Sequence, residues 1–270
     1  MEISLGPAPL SWGKERVIRF YEEMAETEVA HFYLGEIFCP KRGRLFREDL
    51  VKIADLLRRK GKRTYVSSYA IIRHQEELEE LAYLLKATDG IEINNVAVLE
   101  MVLEGKDLVA GPFLNVYNSR SAGYLRRLGM KRIVIPSELG WKEASEMVGA
   151  VDAQFEYLVS GNLSLGVFPG CYTARALGLD ERACEKACLR HPEGMVLKAL
   201  SGEMLFNLNG PEVSSAKIHS VTDDLRNMEG LSSVRIRPQA RGTREVVARC
   251  RSAMDGQAEE GRESVESVFP

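Results

Sequence analysis

The first 160 residues alternate between short strand-like and helix-like segments with a regularity that few architectures accommodate. Ile3-Ser-Leu-Gly, Ala30-His-Phe-Tyr-Leu-Gly and Thr64-Tyr-Val-Ser-Ser read as strands, and the stretches 91–93, 108–117, 132–135 and 154–159 continue the series. Between them, residues 15–24, 48–60, 75–86, 96–103, 122–128 and 142–148 read as helices. The clearest is 48–60, where Leu50, Val51, Ile53, Ala54, Leu56 and Leu57 mark one helical face. Repeated strand–helix units imply parallel strands joined by right-handed crossovers.

After Ser160 the rhythm breaks. Residues 161–210 are rich in Gly, Pro and Cys and read as an insertion; a helix at 221–228, a strand at 234–237 and a helix at 244–254 then restore the pattern. Seven early strands and one late one favour an α/β fold, a (β/α)8 TIM-barrel-like architecture with a cysteine-containing insertion after strand 7. An open doubly wound sheet is the alternative, but no Gly-x-Gly-x-x-Gly turn follows the first strand. The expected organisation is one barrel-like domain over 1–254, with 161–210 as the cysteine-bearing insertion and 255–270 as a flexible C-terminal tail.

Charge and hydropathy narrow the function classes. Lys plus Arg is 36 against 39 for Asp plus Glu, a net charge of −3 that gives no footprint for nucleic acid. The basic runs Lys41-Arg42-Gly43-Arg44 and Arg58-Arg59-Lys60 read as solvated surface. The N-terminus lacks the basic start and apolar stretch of a signal peptide, and no window approaches 18 apolar residues, so no membrane span is expected. A cytoplasmic location follows as the expectation. In that reducing compartment, clustered cysteines are metal ligands or catalytic groups more often than disulfides.

Five cysteines are present, three of them as Cys171-x12-Cys184-x3-Cys188, with Cys39 far upstream. Cys39 follows strand 2 and Cys171 follows strand 7. Loops after barrel strands gather on one face, so these distant residues can converge there. Three readings are open from the residues alone: an iron–sulfur cluster, a structural zinc, or unrelated buried thiols. The paired short spacings of structural zinc sites are absent. One remote cysteine and a looser trio suit a cubane cluster, whose corners are several ångströms apart. Cys250 lies in the last helix and reads as a half-buried, spare thiol.

Five segments carry a resemblance: Tyr33-Leu-Gly-Glu-Ile-Phe-Cys39; Val109-Ala-Gly-Pro-Phe-Leu-Asn115-Val-Tyr-Asn118; Cys171-Tyr-Thr-Ala-Arg175 with Cys184-x3-Cys188; Phe206-Asn-Leu-Asn-Gly210; and Asp224-Leu-Arg-Asn-Met-Glu-Gly-Leu231. In order, over residues 1–240, they resemble the oxygen-independent ubiquinone-biosynthesis branch of the collagenase-like peptidases, family 32 of the unknown-type (U) peptidases. The resemblance implies a 4Fe–4S cluster held by Cys39, Cys171, Cys184 and Cys188. It also implies a heterodimer with a UbiU-like protein, a sterol-carrier-like lipid-binding accessory protein, and hydroxylation of a ubiquinone precursor without dioxygen. Related members hydroxylate RNA bases, with prephenate as the implied oxygen source. Cys250 matches no ligand position in that pattern, and the tail departs from it.

Strand ends supply the remaining candidates: Glu36, Ser68, Asn94, Asn95, Asn115, Asn118, Ser137 and Glu138. Asn at strand ends commonly satisfies loop backbone; Asn115 and Asn118 are carried forward as substrate or partner contacts. Arg175, four residues after Cys171, is a candidate for pairing with cluster charge or an anionic substrate. Peptidase chemistry finds no motif: His-Glu-x-x-His and Gly-x-Ser-x-Gly are both absent. His191, beside Pro192 in the insertion, reads as a loop histidine that would at most shield the cluster.

Overall fold

The computed structural model describes residues 1–101, 103–180 and 184–256. Seven parallel strands come first: β1 (Glu2–Leu5), β2 (Val29–Leu34), β3 (Arg63–Ser67), β4 (Gly90–Ile93), β5 (Asp107–Ala110), β6 (Met130–Val134) and β7 (Gln154–Gly161). An inserted antiparallel sheet follows, made of β8 (Ser164–Val167), β9 (Met195–Lys198), β10 (Met204–Asn209) and β11 (Glu212–Ser215) in the order β8-β11-β10-β9. A two-residue strand β12 (His219–Ser220) leads to the eighth barrel strand, β13 (Ser233–Ile236). Neighbouring strands pair in sequence from β1 to β7, and β13 closes the cylinder by pairing with both β7 and β1. The expected TIM-barrel-like fold is the one observed.

Strand alternation divides the residues between two environments. Ile3, Leu5, Phe32, Ile91, Phe155 and Val234 point outward into the apolar layer beneath the helices. The helices are α1 (Lys14–Ala25), α2 (Pro40–Arg59), α3 (Gln75–Leu85), α4 (Ser119–Arg127), α5 (Trp141–Ala150), the short α6 (Tyr172–Ala176) in the insertion, and α7 (Thr243–Met254). The barrel interior is different. Tyr33, Tyr65, Val109 and Val134 form a small apolar cluster there. Around it lies a charged lattice in which Arg235 pairs with Glu92 at 2.6 Å and with Glu156, while Tyr33 and Ser233 donate hydroxyl hydrogen bonds to Glu156.

Several element boundaries differ from the sequence expectation. Helix α2 begins at Pro40, directly after Cys39, rather than at residue 48. Proline suits the first helical position, and the following charges at Lys41, Arg42, Arg44 and Arg47 obscure the apolar stripe. The expected strand 108–117 stops at Ala110, because Gly111-Pro112 turns the chain into a single 3-10 turn, Pro112–Leu114. The expected helices at 96–103 and 221–228 are 3-10 turns, Val96–Glu100 and Thr222–Asn227. The insertion's sheet runs on to Ser215, past the expected end at residue 210. Of the expected tail, residues 257–270 lie outside the described residues.

Candidate functional site

The C-terminal ends of the strands open into a cavity of about 140 Å³, roofed by the inserted sheet. Its apolar walls are Pro7, Ala8, Leu10, Phe38, Phe113, Ile135 and Leu158. Its polar groups are Glu36 after β2, Asn115 after β5, Ser137 and Glu138 after β6, Asn162 after β7, Arg235 and Arg237 at the end of β13, and Ser164, Asn209 and Glu212 from the inserted sheet. Arg237 grips Glu212 through two parallel contacts, Nη1 to Oε1 at 2.8 Å and Nη2 to Oε2 at 2.7 Å, tying the inserted sheet to the barrel rim. Arg235 Nη2 and Ser164 Oγ are buried without a hydrogen-bond partner.

A second, smaller cavity lies beside the first. Cys39, Cys171, Cys184 and Cys188 all line it, with Arg42, Thr173 and Gly210. Local structure delivers each thiol. Cys39 is the N-cap of α2, where its carbonyl accepts from Arg42 N and Gly43 N. Cys171 caps α6, its sulfur accepting from Ala174 N at 3.4 Å. Cys184 and Cys188 are brought together by a turn through Glu185 and Lys186, both at positive φ (45° and 55°), conformations disfavoured for residues with a side chain. Burial pushes the Cys39 thiol up to about 11, with the Arg42 charge pulling the other way, and burial raises Cys188 likewise. Among the described residues no three His, Cys, Asp or Glu side chains are grouped to hold a single metal ion.

Arg42 stands between the two cavities and borders both. It is 3% exposed, contrary to the solvated reading of its basic run. Its Nε donates to Glu36 Oε2 at 2.8 Å, Nη2 to Glu36 Oε1 at 3.2 Å, and Nη1 to Asn209 Oδ1 at 2.6 Å. Glu36 also accepts from Phe38 N at 2.9 Å and Cys39 N at 3.3 Å, so it orders the turn carrying the first cysteine. Burial works against the Arg42 charge, but Glu36 and the Cys39 and Cys188 sulfurs outweigh it and hold the guanidinium protonated. Gly43 lets α2 approach this closely: a Cβ there would lie 2.2 Å from the Tyr69 hydroxyl.

The other sequence candidates divide. Glu36, Asn115, Ser137 and Glu138 line the mouth cavity. Asn118 caps α4 through Oδ1, accepting from Ser121 N at 2.9 Å, and Asn95 caps its 3-10 turn on Ala97 N. Ser68 and Asn94 bond each other and line neither cavity. Arg175 is exposed on α6 and lines neither cavity. His191 is likewise absent from both linings, which contain no histidine to activate a serine or thiol. Cys250 is fully buried in the apolar layer, away from the other four. Sequence reasoning missed Arg42, Arg235, Arg237 and Glu212. The alternation in Val234-Arg-Ile-Arg was the available signal, since it places two arginines on the inner face of a barrel strand.

Comparisons with known proteins bear on this arrangement. A family model described as Peptidase family U32 matches residues 18–264. The 23S rRNA 5-hydroxycytidine C2501 synthase of Escherichia coli (strain K12) is 23% identical over 149 residues, covering 52% of this chain and 23% of that protein. The match therefore spans less than a quarter of that relative's length. Among solved structures, a thiamine phosphate pyrophosphorylase from Pyrococcus furiosus superposes with a TM-score of 0.54 at 9% identity, over 96% of this chain and 97% of the other. The U32 peptidase Mk0906 gives 0.53 at 14% identity, over 89% and 94%. At such identities the structural likenesses speak for the barrel alone. The family model, by contrast, spans nearly the whole sequence, and this chain belongs to peptidase family U32.

Proposed function

We propose that this U32 protein is of the UbiV type: an iron–sulfur protein of oxygen-independent ubiquinone biosynthesis that works in the cytoplasm with a UbiU-like partner. In this reading the pair hydroxylates a ubiquinone precursor delivered by a sterol-carrier-like lipid-binding protein. The observation that carries the proposal is the lining of one small cavity by Cys39, Cys171, Cys184 and Cys188, drawn from positions up to 149 residues apart (188 less 39). An all-cysteine donor set fits an iron–sulfur cluster, and the lack of the short paired spacings of structural zinc sites favours the cluster over zinc. Such a cluster, when bound, supplies one-electron chemistry.

The protein's own groups then have defined tasks. Glu36 orders the Cys39 turn, Arg42 offsets thiolate charge, and the apolar walls of the mouth cavity exclude water from an aromatic ring. Membership alongside a 5-hydroxycytidine synthase supports hydroxylation as the reaction class. The net charge of −3 favours a small ring over RNA as the substrate. A serine or cysteine peptidase would need its nucleophile paired with a histidine base, and neither cavity lining holds a histidine.

Anaerobic purification, a visible spectrum, and iron and sulfide counting test the reading. The expected protein is brown, with broad absorption near ~400 nm that bleaches in air. Cys39→Ala, Cys171→Ala, Cys184→Ala or Cys188→Ala should each lower iron content severely, while Cys250→Ala leaves it unchanged. Stoichiometric zinc with no iron would sink the proposal.

A further inference from the structure

Resting on the cluster reading above, we infer that Arg42 is a positioning residue for redox function: it holds a fixed positive charge against the cluster thiolates and thereby sets the cluster's reduction potential. Four thiolates lining one small pocket carry negative charge that must be compensated. Among the residues lining the cysteine cavity, Lys41, Arg42, Arg73 and Lys186 are the cations, and of these Arg42 is the buried one.

Its position is fixed from three sides. Glu36 takes Nε and Nη2, Asn209 takes Nη1, and Asn209 is itself held by donating Nδ2 to Ser11 Oγ at 2.9 Å. Behind the guanidinium lies Gly210, at φ 63°, where a Cβ would stand 3.4 Å from both terminal nitrogens. A surface lysine supplies a mobile, screened charge; this guanidinium supplies a rigid and desolvated one. Phe38 and Arg42 are the two residues shared by the cavity linings, so Arg42 is also the polar part of the wall between cluster and mouth.

A positive charge near a cluster favours its reduced, more negative state. Removing the charge should therefore make reduction harder. The experiment is an anaerobic dithionite titration followed by EPR, on wild type, Arg42→Lys and Arg42→Gln, with iron and sulfide counted in each. Arg42→Lys should load a full cluster and keep its midpoint close to wild type. Arg42→Gln should have a reduced-to-oxidised ratio at least tenfold lower at the wild-type midpoint, a downward shift of about 59 mV or more for one electron. A fully loaded Arg42→Gln protein with an unmoved midpoint overturns the inference.

Should Arg42→Gln fail to fold or to load, Asn209→Asp serves in its place. It leaves Arg42 present and sets a carboxylate against Nη1, so its midpoint should move in the same direction by a smaller amount. An unmoved midpoint there overturns the inference equally. The underlying cluster reading fails separately, by a wild-type protein that carries no iron, and that outcome removes both.

Discussion

Arg235 is buried at the inner end of the mouth cavity, and its two partners, Glu92 and Glu156, are fully buried. Burial opposes the ionised form of Glu156, but Arg235 and then Arg132 more than reverse that and hold it below the usual carboxylate value of 4.5. Removing one partner of such an arrangement leaves uncompensated charge in a low-dielectric interior. We expect Arg235→Met to cost about 3–5 kcal/mol in urea unfolding. A loss under ~1 kcal/mol, as for an exposed pair, would contradict this account of the lattice. Residues of this kind are hard to read from sequence. Arg42 and Arg235 look like surface cations because burial of charge depends on how the chain folds its carboxylates onto them: Glu36 reaches Arg42 from six residues upstream across a turn, and Glu92 reaches Arg235 from another strand. The cysteines were easier: their clustering in chain order and the shared end of barrel strands brought Cys39 to the other three. Asn118 shows the converse, since a polar residue at a strand end belongs as readily to a helix cap.

At the scale of elements, the inserted sheet roofs the mouth cavity, and Arg237 is one of the side chains that tie it to the barrel. Arg237, just past β13, holds Glu212 of β11 and also donates to Asn162 O at 3.1 Å. Glu212 is almost wholly buried, so Arg237→Met would strand its carboxylate. The roof should then open locally while the barrel stays folded. Hydrogen exchange is expected to rise in β10 and β11 by tenfold or more, with the amides of β1 to β4 unchanged. A uniform rise across all strands would instead mean that roof and barrel unfold as one unit. This sheet was not legible in sequence beyond its place as an insertion. Its strands are short, and Phe206-Asn-Leu-Asn alternates too briefly to separate a strand from a loop. By contrast α3 and α7 carry enough turns for helical periodicity to be unambiguous, and their bounds follow the pattern within two residues of 75–86 and 244–254. Where helix α2 was foreshortened, charge rather than loss of periodicity was the cause.

The whole molecule joins an apolar shell outside its strands to a polar, charged column within, and that construction makes its stability depend on pH in a definite direction. His31 on β2 faces into the column, with Nε2 2.7 Å from Glu2 Oε2 and 3.0 Å from Arg132 Nη2. Burial, then the Arg132 charge, holds His31 below the usual 6.5, and these outweigh the opposing pull of Glu2. Burial lowers His219 in the same sense. Both imidazoles are thus favoured neutral in the folded chain, whereas the unfolded chain takes up protons at about 6.5. Their contribution is complete above 6.5 and is lost as pH falls from there towards the folded values, because the unfolded state then binds more protons. Glu156 adds to this at lower pH: its stabilisation is present above 4.5 and disappears as pH falls through its depressed folded value. Urea midpoints measured from about pH 7.5 down to about pH 5 should therefore decline on the acid side of 6.5. The double variant His31→Gln, His219→Gln should flatten that decline while leaving the steeper loss at the carboxylate end. An equal slope in the double variant would show that the column tolerates a charged imidazole, and that Glu2 governs His31 more strongly than Arg132 and burial do.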